Sequence, residues 1–285
     1  MAKTFTVQDF YTRFPDDSAC LDHLMKLRFG DELDCPKCGR YAKFYRIKKM
    51  PAYACEWCGH HIHPMAGTFF KRSHTALQKW FYAMYLFTTT RHGVPARELQ
   101  RQLGVTLKTA WRMGHEIRKH MAKVDGNKPL DGHVEVDETY VGGHRPGKRG
   151  RGAEGKTIVF GMVERGGDLQ THVVPNVKRE TLEPLILKNV EAGSQISSDE
   201  WGAYNQLSGK GYDHGTVDHG KEEWVNGNTH VNTLEGFWSQ LKRSISGTHV
   251  HVSKKHLAKY LGEFEFRFNL RNSEADMFPR LLASL

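Results

Sequence analysis

Two Cys-x-x-Cys pairs constrain this chain more than any other feature: Cys35-Pro-Lys-Cys38-Gly39 and Cys55-Glu-Trp-Cys58-Gly59, with sixteen residues from Gly39 to Ala54 between them. That separation predicts a ribbon in which Cys35, Cys38, Cys55 and Cys58 hold one structural Zn²⁺ tetrahedrally, each following glycine easing the turn. No run approaches the ~20 apolar residues of a membrane span, and Met1-Ala-Lys-Thr-Phe5 has no apolar signal core. An intracellular, cytoplasmic protein is expected, and in a reducing compartment metal binding outranks disulfides. Cys20 has no partner at ligand spacing and reads as core filler. His60, His61 and His63 follow the second pair, but four thiolates suffice, and these rings are expected to face solvent or DNA.

The hairpin between the pairs interleaves Arg40, Lys43, Arg46, Lys48 and Lys49 with Tyr41, Phe44, Tyr45 and Tyr53. Such a surface is either a phosphate contact or a solvated ribbon face. Across the chain 41 Lys and Arg oppose 32 Asp and Glu, a net charge of +9 that favours a polyanionic partner.

Residues 76–122 carry three helical stretches. Leu77, Trp80, Phe81, Met84, Tyr85 and Phe87 mark the first, Pro95 to Leu103 the second, and Thr106 to His120 the third, with Gly104 in the turn and Thr106 a suitable N-cap. Two helices joined through Leu-Gly-Val match a helix-turn-helix, whose second helix offers Lys108, Thr109, Arg112 and, further along, His115 to a DNA major groove. The polar stretch Asp125 to Leu130 marks a domain boundary.

Beyond it, Val134 to Tyr140 alternates β-branched and polar residues around Asp137, and an acid at a strand centre must be solvated, paired or bound to metal. Ser194 to Asp199 reads as a short strand, Trp201 to Leu207 as a helical stretch, and Asn232 to Arg243 as a helix with Glu235 near its start. Thirty-five residues lie between Asp199 and Glu235. Acids at a strand centre, a strand end and a helix can build an oxygen site for Mg²⁺ or Mn²⁺. Alternation puts Glu135 on the face of Asp137, while Glu138 and Glu200 point away, and Asn232 lies one turn before Glu235, in reach of a metal-bound water.

Thr157 to Val163 and Leu169 to Val174 supply two strands, Thr181 to Glu191 a crossover helix, and Tyr212 to Val217 a fifth strand. The Gly- and Arg-rich stretch 142–156 offers Arg145, Lys148, Arg149 and Arg151 to phosphate. Leu257, Tyr260, Leu261, Phe264 and Phe268 form a helical core stripe. His249, His251 and His256 have no metal-site spacing and read as DNA contacts or plain surface.

Val-Asp-Glu-Thr-Tyr-Val-Gly-Gly over 136–143, Asp199-Glu-Trp-Gly-Ala-Tyr204, His230-Val-Asn-Thr-Leu-Glu-Gly-Phe-Trp238 and Glu263-Phe-Glu-Phe-Arg-Phe-Asn269 resemble one family, from about residue 20 nearly to the C-terminus. It is the DDE insertion-sequence transposases of the group with an N-terminal zinc ribbon (ISXO-like). The resemblance implies an α+β multidomain chain: a helical lead-in over 1–30, a zinc ribbon over 31–70, a helix-turn-helix region over 71–125, and a ribonuclease-H-like α/β domain over 131–285 with a mixed five-stranded sheet and helices. It implies a DNA transposase that binds terminal inverted repeats, cleaves the element ends and joins the 3′-hydroxyls to target DNA. Asp137, Asp199 and Glu235 would be its catalytic acids around two Mg²⁺ or Mn²⁺ ions. Lys242, two helical turns beyond Glu235, would contact the DNA end near the scissile phosphate, with Arg243 beside it. The implied partner is double-stranded DNA, bound by a homodimer or higher oligomer in a prokaryotic nucleoid, with no membrane. A nuclease of the same fold that does not join, and a non-catalytic zinc-ribbon DNA-binding regulator, are the alternatives.

Overall fold

A computed structural model describes residues 5–124, 128–142, 155–221 and 224–285. They divide into two compact units, residues up to 117 with 273–285, and residues 118–272. The division falls inside a helix, before the polar stretch 125–130. The last thirteen residues belong to the first unit, apart from the rest of the segment 131–285. The basic residues Arg145, Lys148, Arg149 and Arg151 lie outside the described residues.

In the first unit, helix α1 (Val7–Arg13) opens with a capping box in which the Thr6 hydroxyl accepts from the Asp9 amide and Asp9 accepts from the Thr6 amide. Helix α2 (Asp17–Phe29) buries Cys20, whose thiol is pushed up to about 12 by burial and by Asp17 and Asp16, so it is core filler as expected. Strands β1 (Glu32–Asp34), β2 (Tyr41–Arg46), β3 (Tyr53–Cys55) and β4 (His61–Ile62) form an antiparallel ribbon in that order. Helices α3 (Leu77–Thr89), α4 (Ala96–Leu103) and α5 (Leu107–Val124) follow, α5 passing into the second unit at Arg118.

The second unit is built on a five-stranded mixed sheet. Strands β5 (His133–Val141), β6 (Thr157–Glu164) and β7 (Leu169–Val174) run antiparallel; helix α6 (Arg179–Asn189) crosses over to β8 (Gln195–Asp199), parallel to β5, and β9 (Asp213–Val217) is parallel to β8. The spatial order β7-β6-β5-β8-β9 is the ribonuclease-H-like arrangement. The expected helix over 201–207 is instead a short 3₁₀ turn, Gly202–Tyr204, with a second at Ser208–Lys210. Tyr204 and Leu207 are both buried in the sheet core.

Helix α7 (Asn232–Ser244) runs into a single π-type turn over Ile245–His249, and α8 (Lys254–Asn269) follows. One sheet face packs Val134, Val136, Phe160, Met162 and Ile196 against α6; the other packs Val159, Val163 and Leu169 against Leu234, Phe237 and Trp238 of α7 and Leu257, Leu261 and Phe264 of α8. The Glu263–Asn269 phrase fastens α8. Glu263, with no exposure, bonds Arg118 Nε at 2.6 Å and Arg267 at 2.8 Å, and Asn269 pairs with both backbone groups of Leu169. Burial acts to raise the Glu263 carboxyl, but the two guanidiniums outweigh it and hold it below the usual range. His249, expected at the surface, is packed against Tyr260, and burial with Arg118 nearby drives it down to about 4. The C-terminal helix α9 (Met277–Ala283) sets Phe278 among Phe5, Phe10, Phe14 and Tyr85 of the first unit.

Candidate active site

Strand alternation turns Glu135 and Asp137 of β5 toward the α7 side of the sheet and Val134, Val136 and Glu138 toward the α6 side. Asp137 pairs with Gly161 of β6, and the Trp238 ring occupies the bare surface this leaves. A Cβ on Gly161 would stand 2.5 Å from Trp238 Cζ2 and 3.1 Å from Leu234 Cδ2. So seated, the Trp238 indole N–H donates to Asp137 Oδ2 at 2.9 Å.

Asp199 ends β8. The parallel register aligns Glu135 with Ser197, and Asp199, two residues further on, is near enough for its charge to act on Asp137. It is buried, and its Oδ1 accepts the Trp201 amide at 3.1 Å. On the opposite sheet face, Glu138 accepts a 2.9 Å hydrogen bond from the buried Tyr204 hydroxyl. Glu138 thus points away as alternation requires, yet its charge is felt through the strand. Burial first, then Glu138 and Asp199, push the Asp137 carboxyl up to about 8 against the pull of the Trp238 hydrogen bond.

Glu235 stands exposed in the first turn of α7, after the exposed Asn232. Two turns on, Lys242 feels Asp137. Desolvation lowers its ammonium from the ordinary lysine value; Asp137 acts to raise it and Lys156 to lower it further. Arg243 is exposed and donates from Nε to the Ser239 carbonyl at 3.3 Å. Glu200 is exposed, one position past Asp199.

A carboxyl pushed up by burial and by two neighbouring acids is one whose ionised form an approaching cation would stabilise, and an all-carboxylate donor set suits Mg²⁺ or Mn²⁺. The three acids are not drawn into a tight cluster, however. Among the described residues only Cys35, Cys38, Cys55 and Cys58 bring three or more such ligand atoms within 4.8 Å of one another.

That sulfur cluster is built by the ribbon turns. Gly39 and Gly59 sit at φ 68° and 67°, and their amides close back on the Cys35 and Cys55 carbonyls. Cys35 and Cys58 Sγ lie 3.6 Å apart and Cys38 and Cys55 Sγ 4.0 Å, close to the ~3.8 Å that four thiolates span around a tetrahedral ion with ~2.3 Å bonds. Although burial acts to raise it, the amides of Cys38 and Lys37 bring the Cys35 thiol down to about 6. His60, His61 and His63 stay outside the cluster. Tyr41, Tyr45 and Trp57 are exposed, and Arg40 lies 5.5 Å from the Trp57 ring centroid.

Between α4 and α5, Gly104 adopts the left-handed conformation and the Thr106 hydroxyl caps α5 at the Thr109 amide. Lys108 and Arg112 are exposed, Arg112 5.7 Å from the Trp80 ring centroid, and the Thr109 hydroxyl is tied to Thr106 at 3.0 Å. His115 does not face outward: it is buried, its ring 4.0 Å from that of Trp111, and Trp111 is the exposed side chain there. Sequence reasoning missed Trp111, Trp238, Tyr204 and Arg165. Only Gly161, alone in the apolar run of β6, signalled a close approach.

Residues 129–269 match the ISXO2-like transposase domain, and residues 15–61 match the transposase zinc-ribbon domain. The uncharacterized protein in transposable element ISH50 of Halobacterium salinarum is 32% identical over 281 residues, spanning 89% of this chain and 91% of that one. An uncharacterized transposase-like protein of Haemophilus influenzae is 35% identical over 104 residues, 36% of this chain and 81% of its own. The crystal structure of the Mos1 strand transfer complex overlaps 70% of this chain and 75% of its own at 11% identity, with a TM-score of 0.32. The transposase-domain match covers Asp137, Asp199 and Glu235, the zinc-ribbon match covers the four cysteines, and the Halobacterium salinarum relative spans 89% of the chain: the chain belongs to the zinc-ribbon-bearing, ISXO2-like family of transposases.

Proposed function

We propose that this transposase binds the terminal inverted repeats of its own insertion sequence, cleaves at the element ends and joins the freed 3′-hydroxyls to target DNA in the nucleoid, working as a homodimer or higher oligomer. The observation that carries this reading is the acid Asp137, pushed up to about 8 beside Asp199, with Glu235 on a helix tied to the same strand. Asp137, Asp199 and Glu235 would hold two Mg²⁺ or Mn²⁺ ions. When bound, such ions activate the attacking oxygen and neutralise charge at the phosphate.

The chain's own residues position the reactants. Trp238 holds one Asp137 oxygen in place, and Lys242 offers an ammonium to the phosphate of the DNA end. In cleavage a water oxygen forms the new P–O bond, the P–O3′ bond breaks, and the 3′ oxygen leaves as a hydroxyl. In joining that 3′ oxygen attacks a target phosphodiester, and the target's own 3′ oxygen leaves. Lys108, Thr109 and Arg112 of α5 would read the repeat, and Lys242 and Arg243 would grip the cleaved end. Arg145, Lys148, Arg149 and Arg151 are assigned to phosphate contact on composition alone.

The test is full-length protein with Mg²⁺ and DNA carrying the element's flanking repeats, the products mapped by sequencing. Cut ends and joined products are expected. Cut ends without joined products would make the protein a nuclease, and repeat binding without either would make it a regulator.

A further inference from the structure

Helix α7 carries Glu235 and Trp238, but Val231 at its N-cap gives it no side-chain hydrogen bond. The cap comes from strand β5. Glu135, with no exposure, accepts the Thr233 amide (2.8 Å) and the Leu234 amide (3.2 Å) at Oε2, and the Thr233 hydroxyl (2.9 Å) at Oε1. Its Oε1 also meets Arg165 Nε at 2.8 Å and His230 Nδ1 at 3.2 Å. Arg165, next to the end of β6, reaches on to the Asn228 carbonyl (2.6 Å), the His230 carbonyl (3.0 Å) and His133 Nδ1 (3.0 Å). One acid and one guanidinium therefore grip both the segment entering α7 and its first turn.

A serine or asparagine beside the helix would cap it without burying a charge. What Glu135 adds is an anchor on β5, two residues from Asp137 on the same face. Asp137 takes the Trp238 indole, so the strand meets the helix at residues 233–234 and again at 238, and Glu235 lies between. Slipping α7 by one residue would turn it by ~100° and shift it ~1.5 Å, breaking both contacts.

We infer that Glu135, held by Arg165, is a positioning residue that fixes α7 in register with β5 and so sets where Glu235 stands relative to Asp137. This rests on reading Asp137, Asp199 and Glu235 as one metal-binding set.

The experiment measures Mn²⁺ binding to full-length, zinc-loaded protein without DNA, alongside cleavage of element-end DNA as Mn²⁺ is raised. Glu135→Gln keeps an acceptor for the helix amides but loses the charge pair with Arg165. It is expected to fold, to bind Mn²⁺ ~10–100-fold more weakly, and to regain cleavage as Mn²⁺ is raised. A folded Glu135→Gln protein with wild-type Mn²⁺ affinity and metal dependence would overturn the inference, leaving Glu135 a helix cap only. Should that variant not fold, Arg165→Lys decides, because it leaves Glu135 its helix amides and a neighbouring cation but removes the Nε bond to Glu135 and the grip on the Asn228 and His230 carbonyls. Weaker Mn²⁺ binding supports the inference, and unchanged affinity overturns it. Asp137→Asn separates the underlying reading: wild-type Mn²⁺ binding and cleavage in that variant mean that the acids are not the metal set at all.

Discussion

Trp238 on α7 gives its indole N–H to Asp137 Oδ2 on β5 across 2.9 Å, from 101 positions along the chain. The contact depends on a third residue that touches neither polar atom. Because Gly161 has no side chain, the six-membered part of the indole packs against β6 at that point and its N–H reaches the neighbouring strand. The most polar point of the site is thus positioned by an apolar packing event.

Gly161→Ala should therefore behave as a site mutation. The new methyl falls 2.5 Å from Trp238 Cζ2, so the ring must move and release Asp137. We expect a loss of ~1–3 kcal/mol in denaturant unfolding, as for other overpacked cores, together with loss of cleavage. Wild-type cleavage in the folded variant would show that the Trp238 bond is dispensable.

Asp137 should make the metal-free protein less stable as pH rises. Its folded value of about 8 exceeds the ordinary 3.8, so the native state binds the extra proton; that advantage is complete below about pH 4 and is lost as pH climbs through 8. Asp137→Asn removes the dependence. In chelator-treated samples that variant should gain on wild type between pH 5 and pH 8 by the order of a few kcal/mol. Denaturant midpoints at both pH values check the difference, and a pH-independent difference would contradict it.

Asp137→Asn, Asp199→Asn and Glu235→Gln should each abolish cutting and joining while leaving repeat binding nearly intact, because Lys108 and Arg112, proposed to read the repeat, belong to the other compact unit. Lys242→Ala should lower activity without weakening Mn²⁺ binding. The decisive substrate is precleaved: Glu235→Gln protein that joins such ends at the normal rate would remove Glu235 from a shared site.

Native protein should contain one zinc per chain, and Cys38→Ser should lose it. The four sulfurs already face one another, and closing a structural thiolate site on zinc contributes directly to folding. Elemental analysis of both proteins, with melting of the ribbon on chelation, tests this; full zinc in the variant would refute the assignment.

Much of this molecule is determined locally. The cysteine pairs and their glycines specify the ribbon turns, period-two runs specify β5 to β9, and period-3.6 stripes specify α3, α7 and α8, because each pattern requires only that neighbouring residues share a face. The order of strand-centre Asp137, strand-end Asp199 and helix Glu235 was legible for the same reason. What tertiary structure alone decided are relations between distant segments. Glu135 caps a helix 98 residues away, Trp238 settles over Gly161, and Phe278 packs with Phe10 within the first unit. His115 is buried where helical spacing had turned it outward, and residues 202–204 form a 3₁₀ turn that buries Tyr204. None of these has a sequence period, because each is selected by the free energy of burying a group against a surface that exists only once the sheet has formed.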